Sequence, residues 1–232
     1  MSVKSIVGIC FVVLAILVSQ SQAGESSQVK YRGNTYDVFV ADPASDKIQL
    51  YWKDSAGDLY YNFRSLKNSL QAKKRKLVFA TNGGIYEVGN VPLGLYIEKG
   101  KRQVKLNRKR GRGNFYVQPN GVFYLSGGKA GITLAKSYHK LHKKIRKQGG
   151  RIDYANQSGP MLVINKRIHP VFRSRSDSLY IRNGVGVDGR GRVVFAISNE
   201  PVNFYTFARF FKQKMQCHNA LYLDGNISRM YL

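Results

Sequence analysis

Two carboxylates in this sequence are placed to carry acid–base chemistry. Only 13 acidic residues are present, and several of them fall in predicted turns or on exposed strand ends. Asp224 directly follows the apolar run 220–223, and Glu87 follows a glycine-rich segment. Burial raises a carboxyl pKa and a nearby cation lowers it, so either group could act as a general acid or base. Alternatively, Asp224 only accepts hydrogen bonds from loop amides, and Glu87 is solvated.

Glycine stands beside a polar or charged residue at four places where an apolar run begins or ends. Glycine lets the backbone approach a ligand closely, and polar groups at strand ends commonly build binding sites. We therefore expect the four segments to form one polar pocket. They are Asn82-Gly83-Gly84-Ile85-Tyr86, Gln157-Ser158-Gly159-Pro160, Arg182-Asn183-Gly184-Val185-Gly186 and Leu223-Asp224-Gly225-Asn226-Ile227-Ser228.

The order and spacing of these segments resemble the phosphodiester glycosidase family over residues 35–231, although Asn226 and Ile227 stand where two glycines are usual. The resemblance implies hydrolysis of a sugar 1-phosphate diester at its glycosidic bond, in a phosphate-containing glycan of a cell envelope. Glycoside cleavage commonly uses two carboxyl groups, so Asp224 is the expected acid or base and Glu87 its partner. The residues expected to bind substrate are Asn82, Gly83, Gly84, Ser158, Gly159, Arg182, Asn183, Gly225 and Ser228.

The polar members of these segments keep alternative roles. The guanidinium of Arg182 suits a phosphate diester, which the resemblance implies, but it could equally clamp a carboxylate such as Asp224. Asn82 could bind a sugar hydroxyl or cap its own turn. Ser158 and Ser228 could donate to phosphate oxygens. Neither serine lies in a Gly-x-Ser-x-Gly elbow, which disfavours serine hydrolysis.

The histidines and cysteines give no sign of a transition-metal site or a cofactor. None of the four histidines has the spacing of zinc ligands, and we expect no cofactor. A hard cation at Asp224 stays open as an alternative. Cys217 follows an apolar helix face, which is more typical of a small buried hydrophobe than of a nucleophile.

The N-terminal residues have the features of a secretory signal. Lys4 precedes the 13-residue apolar run Ile6–Val18, and small residues follow at 21–23. A membrane anchor would need about 20 apolar residues, so we expect cleavage of residues 1–23 and a secreted or periplasmic protein without a stable anchor. Residues 24–34 are expected to be a mobile polar leader before a single domain at 35–232.

The net charge of +25 favours partners that are polyanions. Two features concentrate this charge, a loop at 108–112 and one face of a predicted helix bearing Lys136, Lys140, Lys143, Lys144 and Lys147. Such a face is either a binding surface for an anionic polymer or only solvated. A non-enzymatic cationic protein that binds anionic envelope polymers is therefore the competing function. Nucleic acid would bind only non-specifically.

The elements that must position these residues are mostly strands. Helices are predicted over Asn62–Lys76, over Leu134–Gln148 with Thr133 as its cap, and after the cap Asn203. Hairpin turns are predicted at 99–101, 119–121 and 188–191. Strands outnumber helices and do not alternate with them, which predicts an α+β fold with a mixed sheet and about three helices.

Overall fold

The structure is a computed structural model that describes residues 24–224 and 229–231. The expected signal peptide, residues 1–23, lies outside the described residues, as do Gly225 and Ser228. Among the described residues, no helix is long and apolar enough to cross a membrane.

The fold consists of sixteen strands and three α-helices in the described part of the chain. The strands are β1 (Glu25–Tyr31), β2 (Asn34–Ala41), β3 (Ala80–Thr81), β4 (Tyr86–Glu87), β5 (Val91–Pro92), β6 (Tyr96–Glu98), β7 (Lys101–Val104), β8 (Gly121–Ser126), β9 (Lys129–Leu134), β10 (Tyr154–Ser158), β11 (Met161–Ile164), β12 (Arg167–Ile168), β13 (Asn183–Asp188), β14 (Val193–Ser198), β15 (Cys217–Tyr222) and β16 (Met230–Tyr231). The helices are α1 (Phe63–Ala72), α2 (Tyr138–Lys147) and α3 (Phe204–Arg209), the last continued by a π-helical turn at Phe210–Lys214.

Two sheets carry the fold. The larger has the strand order β1-β2-β14-β13-β15-β11-β12, and the smaller has β7-β6-β10-β8-β9. Two short ladders, β3 with β16 and β4 with β5, complete the pairing of these strands in the described ranges. Every one of these ladders is antiparallel. The α+β class with three helices is therefore confirmed, with antiparallel sheets where a mixed sheet was expected.

The layers stack as helix, sheet, sheet, helix. Phe39 and Phe195 of the larger sheet meet Phe123 of the smaller one in a shared core. The outer face of the larger sheet is covered by α3 and the turn after it, and the outer face of the smaller sheet by α2. Each buried aromatic or aliphatic side chain contributes about 1.5–3 kcal/mol through its removal from water. The cores hold the strands, and the strand ends can therefore serve as a rigid frame.

Capping and turn chemistry account for the helices and hairpins that the sequence predicts correctly. Asn62 accepts from the N–H of Ser65 at 2.9 Å and begins α1, and Asn203 accepts from the N–H of Thr206 at 2.9 Å and begins α3. These are side-chain caps of the expected kind. The predicted hairpins at 99–101 and 188–191 join β6 to β7 and β13 to β14.

Three local predictions are wrong. The polar leader is not mobile, because residues 25–31 form β1 and pair with residues 34–40 of β2. Thr133 caps no helix, since β9 continues through Leu134 and α2 begins only at Tyr138. The turn at 119–121 joins no hairpin, because residues 114–116 form a 3-10 turn and β8 pairs instead with β9. In each case pairing with the neighbouring strand along the chain outweighs the local pattern.

The chain crosses from one sheet to the other at Gly159-Pro160. Strand β10 lies in the smaller sheet and β11 in the larger. Ser158 at the end of β10 pairs with Gly121, and Tyr222 at the end of β15 pairs with Gly184. The crossing therefore brings the ends of β10 and β15 and the start of β13 to the same end of the two-sheet stack.

His169 makes stability depend on pH. Its Nδ1 accepts from the N–H of Val171 at 3.2 Å, so its Nε2 carries the proton and donates to the carbonyl of Gln118 at 3.0 Å. Burial lowers the pKa of His169 below the usual value near 6.5. The unfolded chain therefore binds more protons, and this contribution to stability is present at neutral pH and is lost as the pH falls below about 6.5.

The pH effect is tested by urea unfolding of a variant between pH 5 and 8. We expect His169→Gln to flatten the fall in the free energy of unfolding towards acid pH. The matched control is His218→Gln, at an exposed histidine, which should keep the wild-type slope. Equal slopes in the two variants would contradict this role for His169.

Candidate functional site

Three of the four glycine-bearing segments meet through the side chain of Asn183, at the start of β13. Its Oδ1 accepts from the N–H of Asp224 at 2.9 Å, and its Nδ2 donates to Oδ1 of Asn82 at 2.8 Å. The Oδ1 of Asn82 also accepts from the N–H of Arg229 at 3.0 Å. These contacts bring Asn82, Asn183 and Asp224 together, as the sequence predicts, and Asp224 is 7% exposed.

The hydrogen bonds also fix which way the two amides point. Asn183 must offer its oxygen to Asp224, so its nitrogen faces Asn82, and Asn82 must then accept with its oxygen. The Nδ2 of Asn82 is left buried and without a hydrogen-bond partner among the described residues. A buried donor of this kind is costly unless something satisfies it.

Gly83 and Gly84 lie against the end of β10. A Cβ on Gly84 would contact Asn156 Oδ1 and lie 2.8 Å from the carbonyl oxygen of Gln157 and 2.9 Å from Cβ of Ser158. Gly83 is exposed, and a Cβ there would meet only Asn156 Nδ2, at 3.7 Å. Gly84 is thus required for the close approach of the two segments, whereas Gly83 leaves backbone open to solvent.

The difference between the two glycines gives a stability test. Gly84→Ala should lower the free energy of unfolding by about 1–3 kcal/mol, because backbone and a buried amide would have to move. Gly83→Ala is the matched control and should change it by less than about 0.5 kcal/mol. Urea unfolding measures the free energy of unfolding of both variants. An equal change in the two would show that the close packing at Gly84 is not needed for stability.

The Ser158-Gly159 segment holds the backbone next to Asp224 in place. The hydroxyl of Ser158, which is fully buried, donates to the carbonyl of Leu223 at 2.7 Å. A Cβ on Gly159 would lie 3.0 Å from the carbonyl oxygen of Phe115 and closer still to Asn120. Both residues join the cluster as predicted, but they hold the chain in place, and their contacts are with the protein itself.

Tyr86 lies close enough to Asp224 to sense its charge. The phenol is 38% exposed, and its pKa is raised by burial and then by the Asp224 carboxylate. Burial raises the pKa of Tyr222 to about 12, and the Asp224 carboxylate contributes to this rise. A protonated phenol beside the carboxylate is a donor that can orient either Asp224 or a ligand.

Arg182 does not face this cluster, contrary to the expectation that it would hold phosphate. Its side chain is 1% exposed and lies 3.7 Å from the ring centroid of Phe204, on the α3 side of the sheet. Its Nε donates to the carbonyl of Val202 at 2.8 Å, and its Nη2 to that of Ser178 at 2.9 Å. Successive residues of a strand point to opposite faces. Asn183 enters the cluster and Arg182 is therefore turned away.

Glu87 is also outside the cluster. It lies in the two-residue strand β4 with an exposed side chain, and the structure gives that side chain no hydrogen bond or ion pair with the rest of the described chain. The predicted roles of Gly225 and Ser228 concern residues outside the described ranges. Asp224 is thus the one carboxylate that the described residues place in the cluster.

Three residues of the site were not singled out from the sequence. Asn156 is 6% exposed, and its Oδ1 is without a hydrogen-bond partner in the described part of the chain. Gln157, 1% exposed, bonds the backbone of Leu95 and Asn107. Tyr86 and Gln157 belong to the glycine-bearing segments, so their motif membership was an available signal. Asn156 gave none, since it lies outside these segments and a lone asparagine is usually exposed.

The cluster is poor in metal ligands. Over the described residues, no three His, Cys, Asp or Glu side chains are grouped so that they could hold a metal ion. The polar groups around Asp224 are two amides, a hydroxyl and a phenol. Such a set suits hydrogen bonding to hydroxyls and carbonyls more than metal coordination.

Comparison with known proteins identifies the family of this chain. A family model described as phosphodiester glycosidase matches residues 75–232. The chain belongs to the phosphodiester glycosidase family. The match includes all four glycine-bearing segments, so the resemblance seen in the sequence is confirmed, and membership supports a hydrolase of the phosphodiester glycosidase type.

The chain is similar in sequence to a bacterial protein and in fold to a zebrafish enzyme domain. The uncharacterized protein YigE of Escherichia coli strain K12 is 37% identical over 226 residues, which cover 96% of this chain and 84% of that protein. The catalytic domain of zebrafish N-acetylglucosamine-1-phosphodiester alpha-N-acetylglucosaminidase, auto-inhibited by its pro-peptide, aligns with a TM-score of 0.60. The alignment covers 92% of this chain and 75% of that domain at 19% identity. At that identity, the likeness to the zebrafish domain concerns the fold.

Proposed function

We propose that this protein is an exported hydrolase that cleaves the glycosidic bond of a sugar 1-phosphate diester in an envelope glycan. The observation that carries the proposal is the network of Asn82, Asn183 and Asp224, which joins three distant segments around one buried carboxylate. Membership of the phosphodiester glycosidase family supplies the reaction class. The apolar N-terminal run at Ile6–Val18 supports export.

In this reaction, Asp224 acts on water. Its carboxylate accepts a proton from a water molecule as the oxygen of that water bonds to the anomeric carbon of the sugar. The bond from that carbon to the bridging oxygen breaks, and the phosphate monoester leaves with the electron pair. Asn183 orients the backbone of Asp224. Ser158 fixes the neighbouring carbonyl of Leu223.

One carboxylate in the cluster is enough for this leaving group. Ordinary glycosidases need an acid because an alkoxide is a poor leaving group. A phosphate monoester has a second pKa near 6, so it leaves as a stable anion at neutral pH with little help from an acid. This chemistry fits a site in which Asp224 is central and Glu87 lies on an exposed hairpin.

The neutral groups around Asp224 would hold the sugar. The buried Nδ2 of Asn82 offers a hydrogen bond to a hydroxyl or carbonyl oxygen. Gly83 is exposed and lets a ligand approach the backbone closely. Tyr86 offers a phenol whose raised pKa keeps it protonated. These groups bind without charge, which suits the sugar half of the substrate.

The proposal is tested by turnover of a chromogenic N-acetylglucosamine 1-phosphodiester. Wild-type protein, with residues 1–23 removed, should release free N-acetylglucosamine and the phosphate monoester. The matched substrate is the corresponding alkyl glycoside without phosphate, which should be cleaved far more slowly because an alkoxide is a poor leaving group without an acid to protonate it. Release of sugar no faster than in a protein-free blank would reject the proposal.

A second role, binding of anionic polymers, is favoured by the exposed face of α2. Lys136, just before the helix, and Lys140, Lys143, Lys144 and Lys147 on it are all exposed. None of the ion pairs formed within the described residues involves these lysines. A cationic face without carboxylate partners releases bound counterions when a polyanion docks. This role is compatible with catalysis at the candidate site, because none of these lysines belongs to the cluster around Asp224.

The polymer role predicts a specific effect of charge reversal. Changing Lys140, Lys143 and Lys144 to glutamate should weaken binding to a teichoic-type polymer at least about tenfold and flatten its dependence on salt. Turnover of the small chromogenic diester should stay within about twofold of wild type. Polymer binding measured at several salt concentrations is the readout. Binding that ignores both salt and the reversals would show that the face is merely solvated.

A further inference from the structure

The position of Arg182 leaves the phosphate half of the substrate without a cation from the four glycine-bearing segments in the described ranges. The protein is nevertheless rich in cations along one stretch of the chain. Residues 99–152 contain no aspartate or glutamate. Within that stretch, a loop that we call the basic loop, residues 108–112, has the sequence Arg-Lys-Arg-Gly-Arg, and all five residues are exposed.

One end of the basic loop is fixed by Gln157. The Oε1 of Gln157 accepts from the N–H of Asn107 at 2.9 Å, and its Nε2 donates to the carbonyl of Asn107 at 2.6 Å. The same Oε1 accepts from the N–H of Leu95 at 2.9 Å. The side chain of Asn107 donates to the carbonyl of Leu93 at 2.8 Å and accepts from the N–H of Lys109 at 2.9 Å. A fully buried amide therefore holds both backbone groups of the residue that precedes the loop.

The other end of the basic loop is fixed by Phe115, which is 1% exposed. Its carbonyl oxygen accepts from Nδ2 of Asn120 at 3.1 Å. That oxygen also lies 3.0 Å from the place of a Cβ on Gly159, in the segment that crosses between the sheets. Within the loop, Gly111 lies against the ring of Tyr116. Both ends are thus tied to the 157–159 segment.

The segment that anchors the loop also builds the site. Asn156 packs against Gly84, and Ser158 holds the carbonyl of Leu223 next to Asp224. Gln157 lies between these two residues in the chain. Because successive strand residues point to opposite faces, the side chain of Gln157 anchors the loop on the other face of β10 from Asn156 and Ser158. The start of the basic loop is therefore joined to the same strand end that supports the cluster. An arginine side chain can donate two parallel hydrogen bonds to one phosphate group. Because the loop is anchored at both ends, less conformational entropy is lost when it binds.

We propose that the basic loop, with Arg108, Lys109, Arg110 and Arg112, binds the phosphate group of the substrate at the rim of the candidate site. This inference rests on the proposed function for the identity of the substrate. It divides recognition between a neutral cluster, which holds the sugar beside Asp224, and a cationic loop, which holds the diester. Arg182 keeps a structural role on the opposite side of the sheet.

The test compares two variants with equal loss of charge. In the loop variant, Arg108, Lys109, Arg110 and Arg112 are changed to glutamine; in the control, Lys140, Lys143, Lys144 and Lys147 of α2 are changed to glutamine. We expect the loop variant to raise KM for the chromogenic diester about ten- to hundredfold, as for loss of charge-assisted hydrogen bonds. Its kcat should stay within about threefold, and the control variant should change KM less than about twofold. Melting temperatures should not differ, because all eight side chains are exposed.

Binding of N-acetylglucosamine 1-phosphate, measured by titration calorimetry, separates this inference from the proposed function. The wild type and the control variant should bind this probe with the same Kd, and the loop variant at least about tenfold more weakly. That result without turnover would reject the proposed function and leave the phosphate site standing. If the wild type does not bind the probe, or if the loop variant matches the control in both Kd and KM, the inference is overturned.

Discussion

Replacing Asp224 with asparagine is expected to lower kcat/KM for the chromogenic diester at least about a hundredfold, the lower range for loss of a general acid or base. The substitution keeps the volume of the side chain and the backbone bond to Asn183. Far-ultraviolet circular dichroism should therefore be unchanged. Steady-state kinetics of purified wild type and variant make the measurement.

Glu87→Gln is the matched control for this experiment. Each substitution removes one carboxylate at a glycine-bearing segment: Asp224 lies within its segment, and Glu87 directly follows one. Glu87, however, lies on an exposed two-residue strand. Its loss should cost less than about threefold in kcat/KM, because a phosphate leaving group needs little help from an acid. A wild-type rate in Asp224→Asn would remove Asp224 from catalysis. A large loss in Glu87→Gln would restore the two-carboxylate mechanism.

Replacing Arg182 with methionine is expected to lower the free energy of unfolding by about 2–4 kcal/mol. The change removes two charge-assisted hydrogen bonds, which leaves the carbonyl of Ser178 without its guanidinium donor and that of Val202 with only the N–H of Tyr180, at 3.3 Å. It also removes the stacking of the guanidinium on Phe204. Lysine should not restore stability, because an ammonium cannot reproduce the planar fork. Urea unfolding gives the free energies.

The kinetics of the same variants distinguish the two roles of Arg182. If it only supports the fold, the folded fraction of Arg182→Met should show KM within about threefold of wild type. Arg175→Met, at an exposed arginine in the same loop, is the control and should leave stability unchanged. A tenfold rise in KM with wild-type stability would instead return Arg182 to phosphate binding.

Local signals predicted much of the fold. The caps Asn62 and Asn203 act through side-chain oxygens a few residues away, so sequence spacing alone reveals them. The β13–β14 hairpin follows from turn residues between apolar runs. The leader at 25–31 was missed because its pairing partner, β2, decides its structure. An edge strand with polar residues looks like a disordered tail when the neighbouring strand is not considered.

The sequence predicted which segments form the site, but not which of their side chains face it. Glycine beside a polar group marks a close approach, and the packing of Gly84 on Asn156 is such an approach. The direction of a side chain is not set by the motif. It depends on strand register, where one position turns a residue to the opposite face. Arg182 and Asn183 are adjacent in sequence, yet only Asn183 enters the cluster.

The most direct test of the central claim is to find which product incorporates the oxygen of water during hydrolysis in ¹⁸O-labelled water. The products of the N-acetylglucosamine 1-phosphodiester are analysed by mass spectrometry after a single round of cleavage. Attack at the anomeric carbon, with Asp224 as base, predicts that the label is found in the sugar and that the phosphate monoester is unlabelled. Label in the phosphate monoester would show that the phosphorus–oxygen bond is cleaved, and would contradict the assignment of this protein as a glycosidase.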